Sequence, residues 1–317
     1  MLRFAAVRLI EIAALLVLMS FLIYGLLGLM PGDPIDLMRQ ADPRIGAADV
    51  ARLKALYGLD RPLLVRYLNW AGQALQGDLG YSRLFAAPVW STLLAPLGNS
   101  LVLMGSSFVA ALGLALPLGV AAARRPSSRL DGAINLACFA SVSLPTFWLA
   151  LVLILVFAAG LGWLPASGLA AAGAGGVADR LRHLALPVAT LTLANAGFYT
   201  RYVRAAMRDA LAQDHIRTAR AKGAREARVI LHHALRGALI PVTTIVALSF
   251  GGLVSGALVT ETMFAYPGMG KLIYDAVMGN DYNLALAALL FAAATALLAN
   301  LAADLAYGWL DPRVTYR

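Results

Sequence analysis

The chain has 317 residues, 60% of them apolar and 14% charged, with a mean hydropathy of +0.73. Soluble domains carry about 25% charged residues, so the composition excludes a water-soluble fold and fits an all-α polytopic membrane protein. The net charge of +9 raises nucleic acid as a partner, which the placement of the charges decides below, and the single cysteine, Cys138, excludes an intrachain disulfide or a multi-cysteine metal site.

A helix that crosses a bilayer needs roughly 20 apolar residues. The first charge-free stretch is Ile12–Met30, behind the basic flank of Arg3 and Arg8. It is longer than a signal-peptide core and no small-x-small cleavage site follows it, so residues 1–30 read as an uncleaved signal-anchor span. Glu11, at its inner end, is placed to pair with Arg8 one turn back. Residues 31–98 form an outer segment with helical pieces, in which Val50, Leu53, Leu56 and Tyr57 make an apolar stripe suited to packing on the bundle. The second span is Asn99–Ala123. Gly132–Ala178 is too long for one crossing and is punctuated by Gly160, Gly162 and Pro165, which predicts a third span at Ile134–Ala159 and a loop over Pro165–Ala178.

The fourth stretch, Leu184–Thr200, is short and is expected to continue past Arg201 and Arg204, whose long side chains can reach the surface. Gly237–Thr260 is the fifth; its Gly252-x-x-x-Gly256 permits close helix approach. Tyr282–Ala303 is the sixth, with Asp304 at its inner end. The polar groups within spans three to five, Ser141, Ser143, Asn195, Ser249 and Ser255, are the candidates for lining a translocation path.

Basic residues set the orientation. With the N-terminus inside, the short inner segments and the tail carry sixteen Lys and Arg, nine of them in Arg201–Arg236, against three (Arg180, Arg182, Lys271) in the short outer loops. Both termini are therefore expected in the cytoplasm. The positive charge is a topology signal, which removes nucleic acid as a partner and leaves membrane lipid.

No charged residue lies in mid-span; Glu261 sits at the outer end of the fifth. This argues against the alternative of a stand-alone secondary transporter or channel, which usually carries titratable groups near the midplane. A scaffold role has only the long outer segment in its favour. There is no phosphate-binding loop: Gly268-Met269-Gly270-Lys271-Leu272 lacks a Ser or Thr after the lysine. His232 and His233 are adjacent and would point about 100° apart on a helix, so a shared metal is not expected. The chain reads as no enzyme, with no catalytic residue, metal or cofactor of its own.

The loop between the fourth and fifth spans is the most informative segment. From Asp214 helix formers run to Gly223, which can supply the left-handed cap of a short helix. A second helical stretch follows, with Val229, Ile230, His233 and Ala234 on one side. Ala219, Ala221 and Gly223 are small enough to let another protein approach the backbone. A solvated basic connector is the competing reading of the same residues.

These residues resemble the "EAA" loop of bacterial ABC-importer permeases in the dipeptide, oligopeptide and nickel form. Arg217-Thr218-Ala219 occupy the positions of the E-A-A letters, Gly223 is the motif's glycine, and His233-Ala234-Leu235-Arg236 stand where general importers have I-x-L-P. The likeness extends along the chain. It includes Pro31-Gly32-Asp33-Pro34, Tyr57-Gly58-Leu59-Asp60-Arg61-Pro62, Gly77-Asp78-Leu79-Gly80, Leu161-Gly162-Trp163-Leu164-Pro165, Glu261-Thr262-Met263-Phe264-Ala265-Tyr266-Pro267-Gly268-Met269-Gly270 and Asp311-Pro312-Arg313. The long outer segment resembles that of the B-type member of a permease pair.

The resemblance implies a six-span type I (MetI-like) permease in the bacterial inner membrane. It divides the chain into a signal-anchor (1–30), a periplasmic helical segment (31–98), a five-span core (99–308) with a coupling loop at 208–237, and a cytoplasmic tail (309–317). It implies a second, C-type permease subunit, a periplasmic binding protein, and two ATPase subunits that hold the ATP and magnesium. Cargo would be a dipeptide, oligopeptide, glutathione or nickel chelate. Asp214, Arg217, Thr218, Ala219, Lys222, Gly223, His233, Leu235 and Arg236 are then the residues expected to couple the ATPases to the pore.

Overall fold

The computed structural model describes residues 2–29, 46, 48–50, 52, 61–171, 173, 175–250 and 257–310. Helix α1 (Leu2–Gly28) runs unbroken because its sequence contains no proline and places its glycines only near its end. Helix α2 (Leu63–Leu75) starts after Pro62, whose missing N–H is not needed at a helix start, and stops before Gly77 at φ +87°. A small hairpin of β1 (Tyr81–Ser82) and β2 (Ala87–Pro88) pairs Tyr81 with Pro88 and Ser82 with Ala87, a minor departure from the all-α expectation.

Helix α3 (Val89–Arg124) begins ten residues before the expected second span and keeps Pro96 and Pro117 in its interior. Ser127, at φ +62°, turns the chain, and the Ser128 side chain accepts from the Asp131 N–H to start α4 (Arg129–Ser143). The single helix expected over Ile134–Ala159 is not found. The axis bends by 104° between α4 and α5 (Thr146–Leu153), which continues as a π-helical segment, Ile154–Gly160. Pro145 is the cause: its ring drives Leu144 into extended backbone, at φ −81° and ψ 128°.

Helix α6 (Val177–Leu211) is longer at both ends than the fourth apolar stretch, so Arg180 and Arg182 lie within its first turns rather than in a loop. Helix α7 (Asp214–Ala221) is followed by one helical run made of α8 (Glu226–Arg228), a π segment (Val229–Ala234) and α9 (Leu235–Phe250). The expected fifth helix is also interrupted: Ala257 leaves helical geometry at φ −114°, ψ 67°, and α10 (Leu258–Met263) is a separate short helix. Gly252, Ser255 and Gly256 lie outside the described residues. Helices α11 (Met269–Met278) and α12 (Tyr282–Leu310) complete the fold. The segments 31–45 and 311–317 lie outside the described residues, as do Leu53, Leu56 and Tyr57.

Among the described residues three helices are long and apolar enough to cross a membrane: Ala5–Gly28, Val89–Arg124 and Tyr282–Ala302; the bent pair α4–α5 is a fourth if it counts as one span. The most extensive helix contact is between α3 and α6. At Gly119 a β-carbon would stand 2.6 Å from Val203 Cβ. Helix α4 meets α6 at Gly197, where a β-carbon would stand 2.7 Å from the Cys138 carbonyl and from Ser141 Oγ. Two apolar clusters mark opposite ends of the bundle. One joins Leu27, Val89, Leu93, Leu272 and Leu284; the other joins Ala123, Met207, Ile216, Val229 and Ile230. Arg8 bridges Glu11 (3.0 Å) and Asp304 (3.8 Å), so the start of α1 and the end of α12 lie at the same end.

An ion pair between a half-buried arginine and a buried aspartate ties α4 to α6. Arg204 donates from Nε to Asp131 Oδ1 (2.6 Å) and from Nη2 to Oδ2 (2.7 Å), and the same carboxylate accepts from the Ser127 N–H and from Asn135 Nδ2. Removing one member leaves the other charge without its partner. Asp131→Ala is expected to destabilise the folded protein by about 3 kcal/mol. The measurement is unfolding by denaturing detergent in mixed micelles, with Arg204→Ala and the double variant completing a cycle that should show coupling.

Candidate functional site

The segment from Asp214 to Arg236 stands on the second apolar cluster. Ile216, Val229, Ile230 and Ala234 are buried against Val203 and Met207 of α6, which fixes the loop to the end of the bundle. The short helix α7 ends as its sequence predicts. Lys222 N–H donates to the Thr218 carbonyl, Gly223 N–H to Arg220 (2.9 Å) and Ala224 N–H to Ala219 (3.1 Å), and Gly223 takes φ +78°. This is the double bond pattern of a helix closed by a left-handed residue. A β-carbon on Gly223 would meet no atom within 4 Å, so the glycine is required by its backbone angle and not by crowding within this chain.

The expected loop residues divide by exposure. Asp214, Arg217, Thr218, Lys222, Gly223 and Arg236 are exposed; Ala219, His233 and Leu235 are half-buried. Arg217 Nη1 lies 3.4 Å from Asp214 Oδ1, and Thr218 Oγ1 donates to the Asp214 carbonyl, so these residues brace α7 itself. His232 and His233 fall in the π segment, their rings edge to face at 5.3 Å.

One contact in this loop was not legible from spacing. Arg220 donates to Glu226 through Nε (3.2 Å) and Nη2 (2.7 Å), across the turn at Gly223. The pair latches the end of α7 to the start of α8. The hydrogen bonds from Arg220 hold the Glu226 carboxyl below its usual range.

The candidate path residues are not gathered into one site. Ser141 Oγ donates to the Leu193 carbonyl (2.6 Å), which makes it a tie between α4 and α6. Asn195 is exposed and donates to the Leu191 carbonyl of its own helix, and Ser143 is exposed at the end of α4. Ser249 belongs to α9. Ser255 lies outside the described residues.

At the opposite end, Glu261 is fully buried. Its Oε1 accepts from Ser100 Oγ (2.6 Å) and Ala257 N–H (3.2 Å), and its Oε2 accepts from the Lys271 N–H (2.9 Å) in the first turn of α11. The carboxylate thus caps a helix that begins eight residues later, with the dipole of that helix in its favour. A β-carbon on Gly268 would collide with this carboxylate, and one on Gly270 would stand 2.9 Å from the Leu258 backbone. The Pro-Gly-Met-Gly string is therefore the clearance that Glu261 needs. Asp281 plays a similar part, accepting from Ser82 Oγ (2.6 Å), Leu84 N–H and Leu284 N–H.

Residues 115–316 match the family described as "Binding-protein-dependent transport system inner membrane component". The chain is similar to the oligopeptide transport system permease protein AppB of Bacillus subtilis, at 41% identity over 288 residues and 90% of each chain. It is similar to the di/tripeptide transport system permease protein DppB of Pseudomonas aeruginosa, at 36% identity over 94% of each chain. The glutathione transport system permease protein GsiC of Escherichia coli O6:H1 is 35% identical over 320 residues, with 100% of each chain covered.

Two outcomes follow from this geometry. A carboxyl held below its usual range supports the latch above that range and loses it as pH falls through the lowered value. Nitroxide probes on α7 and α9 should keep one sharp distance at and above the ordinary glutamate value of 4.5 and spread only as the pH falls through the lowered value, and Glu226→Gln should spread them at neutral pH. Glu261→Ala leaves three donors without an acceptor, at about 1–3 kcal/mol for each group that stays dry. The expected reading is a loss of roughly 3 kcal/mol or more in detergent unfolding, with Glu261→Gln less damaging.

Proposed function

This chain belongs to the family of binding-protein-dependent transport system inner membrane components, and from that premise we propose that it is the B-type permease subunit of an ATP-driven peptide importer. Six spans are assigned to α1, α3, the bent α4–α5 unit, α6, the run from α8 through α9, and α12. Both termini and the loop at 208–237 face the cytoplasm, in keeping with the excess of basic residues there. A C-type permease subunit completes the pore, a periplasmic binding protein delivers cargo to the end that holds Glu261 and Asp281, and two ATPase subunits dock on α7. These partners, and not this chain, hold ATP and magnesium.

The observation that carries the reading is the α7 turn. An eight-residue helix projects from the bundle, exposed on its outer side and anchored on its inner side by Ile216, and is closed by Gly223. That is a lever: a push on its exposed face is passed through Ile216 to α6 and through the Arg220–Glu226 latch to α9. The three named relatives handle oligopeptides, di- and tripeptides and glutathione. All are short peptides, and a short peptide is the cargo proposed here.

A side chain at Gly223 costs about 1–2 kcal/mol in the left-handed region. Gly223→Val should leave the protein at normal abundance in the membrane, because the spans form without the loop. It should weaken copurification of ATPase subunits or uncouple hydrolysis from peptide uptake. Normal assembly together with normal uptake would reduce the loop to a solvated connector. The permease purified without its partners should also retain no radiolabelled ATP.

A further inference from the structure

Helix α2 belongs to the segment expected outside the membrane, yet its contacts are with the middle of α1. Tyr67 Oη lies 2.8 Å from Ser20 Oγ in a buried contact and 3.5 Å from the Val17 carbonyl. Its ring stands edge to face with Phe21 at 5.2 Å, and Trp70 lies 6.1 Å from Tyr24. At the start of α2, Leu63 Cδ1 is 3.5 Å from the place a β-carbon on Gly28 would occupy.

Those partners fix a depth. The ionic group of Arg8, Glu11 and Asp304 marks one boundary of the apolar part of α1. Ser20 follows Glu11 by nine positions, about 13 Å along the axis. The hydrocarbon layer is about 30 Å thick, so Ser20 stands near its middle. The hydroxyl of Tyr67 reaches that level, while Trp70 packs at the level of Tyr24 and Leu63 at that of Gly28. Both levels are within the hydrocarbon on the Gly28 side.

The pattern of α2 agrees with that position. Tyr67, Trp70 and Ala74 share the stripe turned to α1. Leu64, Leu68 and Leu75 fall on a second stripe and are 57%, 59% and 91% exposed. Arg66, Asn69 and Gln73 fall on a third, roughly 150° around the helix from the leucines. Exposed leucines on one side and polar groups on the other describe a helix lying in a bilayer surface, apolar side down. In water the leucine stripe would be an unpaid exposure.

We propose that α2 is a membrane-embedded helix of the leaflet on the Gly28 side, with its Leu64–Leu68–Leu75 stripe on lipid acyl chains and its Arg66–Asn69–Gln73 stripe toward the headgroups and water. The proposal rests on α1 crossing the bilayer, and it holds whichever side that end faces. Its consequence is that the connection between the first two spans is anchored in lipid and is not free to move with a docking protein.

The test uses cysteines at 68, 73 and 22, one at a time in a Cys138→Ala background, each carrying a nitroxide. The full-length chain, purified with its transport partners, is placed in phosphatidylcholine nanodiscs. Collision with oxygen, which concentrates in lipid, is compared with collision with a water-soluble nickel chelate. The oxygen-to-nickel ratio should be at least about threefold higher at 68 and at 22 than at 73. Position 64 replaces 68 if that variant does not assemble. A ratio at 68 and 64 equal to that at 73, with 22 still dominated by oxygen, overturns the proposal and leaves the span intact. Nickel access at 22 would overturn the span and the proposal together. Nickel access at 68 that disappears only when the delivery protein is added would make the stripe a protein-docking surface, and would also overturn the proposal.

Discussion

Helices inside a bilayer gain little by hiding apolar side chains from one another, since lipid tails are equally apolar, and the bundle depends instead on where backbones can touch. Two such places hold α6 to its neighbours. Gly119 brings α3 against Val203, and Gly197 brings α6 against the Cys138 carbonyl and Ser141. Helix α6 is the shared member of both contacts. Dispersion falls steeply with separation, so a side chain at either glycine would remove the contacts of its neighbours as well as its own.

Polar side chains act at the ends of the bundle and finish what the glycines begin. Asp131 and Arg204 pin α4 to α6 at one end. Glu261 with Ser100, and Asp281 with Ser82, pin the short helices and the hairpin at the other. Each carboxylate is buried and each is surrounded by donors, which is the condition for a buried charge to be tolerated. Close backbone approach and buried charge act side by side along α6, where a β-carbon on Gly119 would also stand 3.0 Å from the Arg204 amide nitrogen.

Much of this was legible in the sequence because the bilayer imposes a length and a polarity on every crossing. Helices α1, α3 and α12 follow from that rule, as does the close of α7 at Gly223, where the backbone admits glycine most readily. The bend at Leu144–Pro145 was missed because composition does not distinguish a straight apolar helix from a broken one; the proline itself was the available signal. The burial of Glu261 leaves no sign in the sequence because its partners, Ser100 and the amide of Lys271, are brought to it by other elements. The same holds for Asp131 and Arg204, 73 positions apart. Arg220 and Glu226 are close in sequence, but they meet only because the glycine turn folds one helix back toward the next. Pairings across elements leave no periodic trace.

The tie between Ser82 and Asp281 spans 199 positions, and that between Ser100 and Glu261 spans 161. A chain synthesised at about 5–20 residues per second makes Ser82 roughly 10–40 seconds before its acceptor exists. The hairpin therefore waits, exposed and incomplete, until nearly the whole polypeptide has left the ribosome. A chain stalled before Asp281 holds Ser82 Oγ and the Leu84 N–H without their acceptor, so this contact is among the last to form.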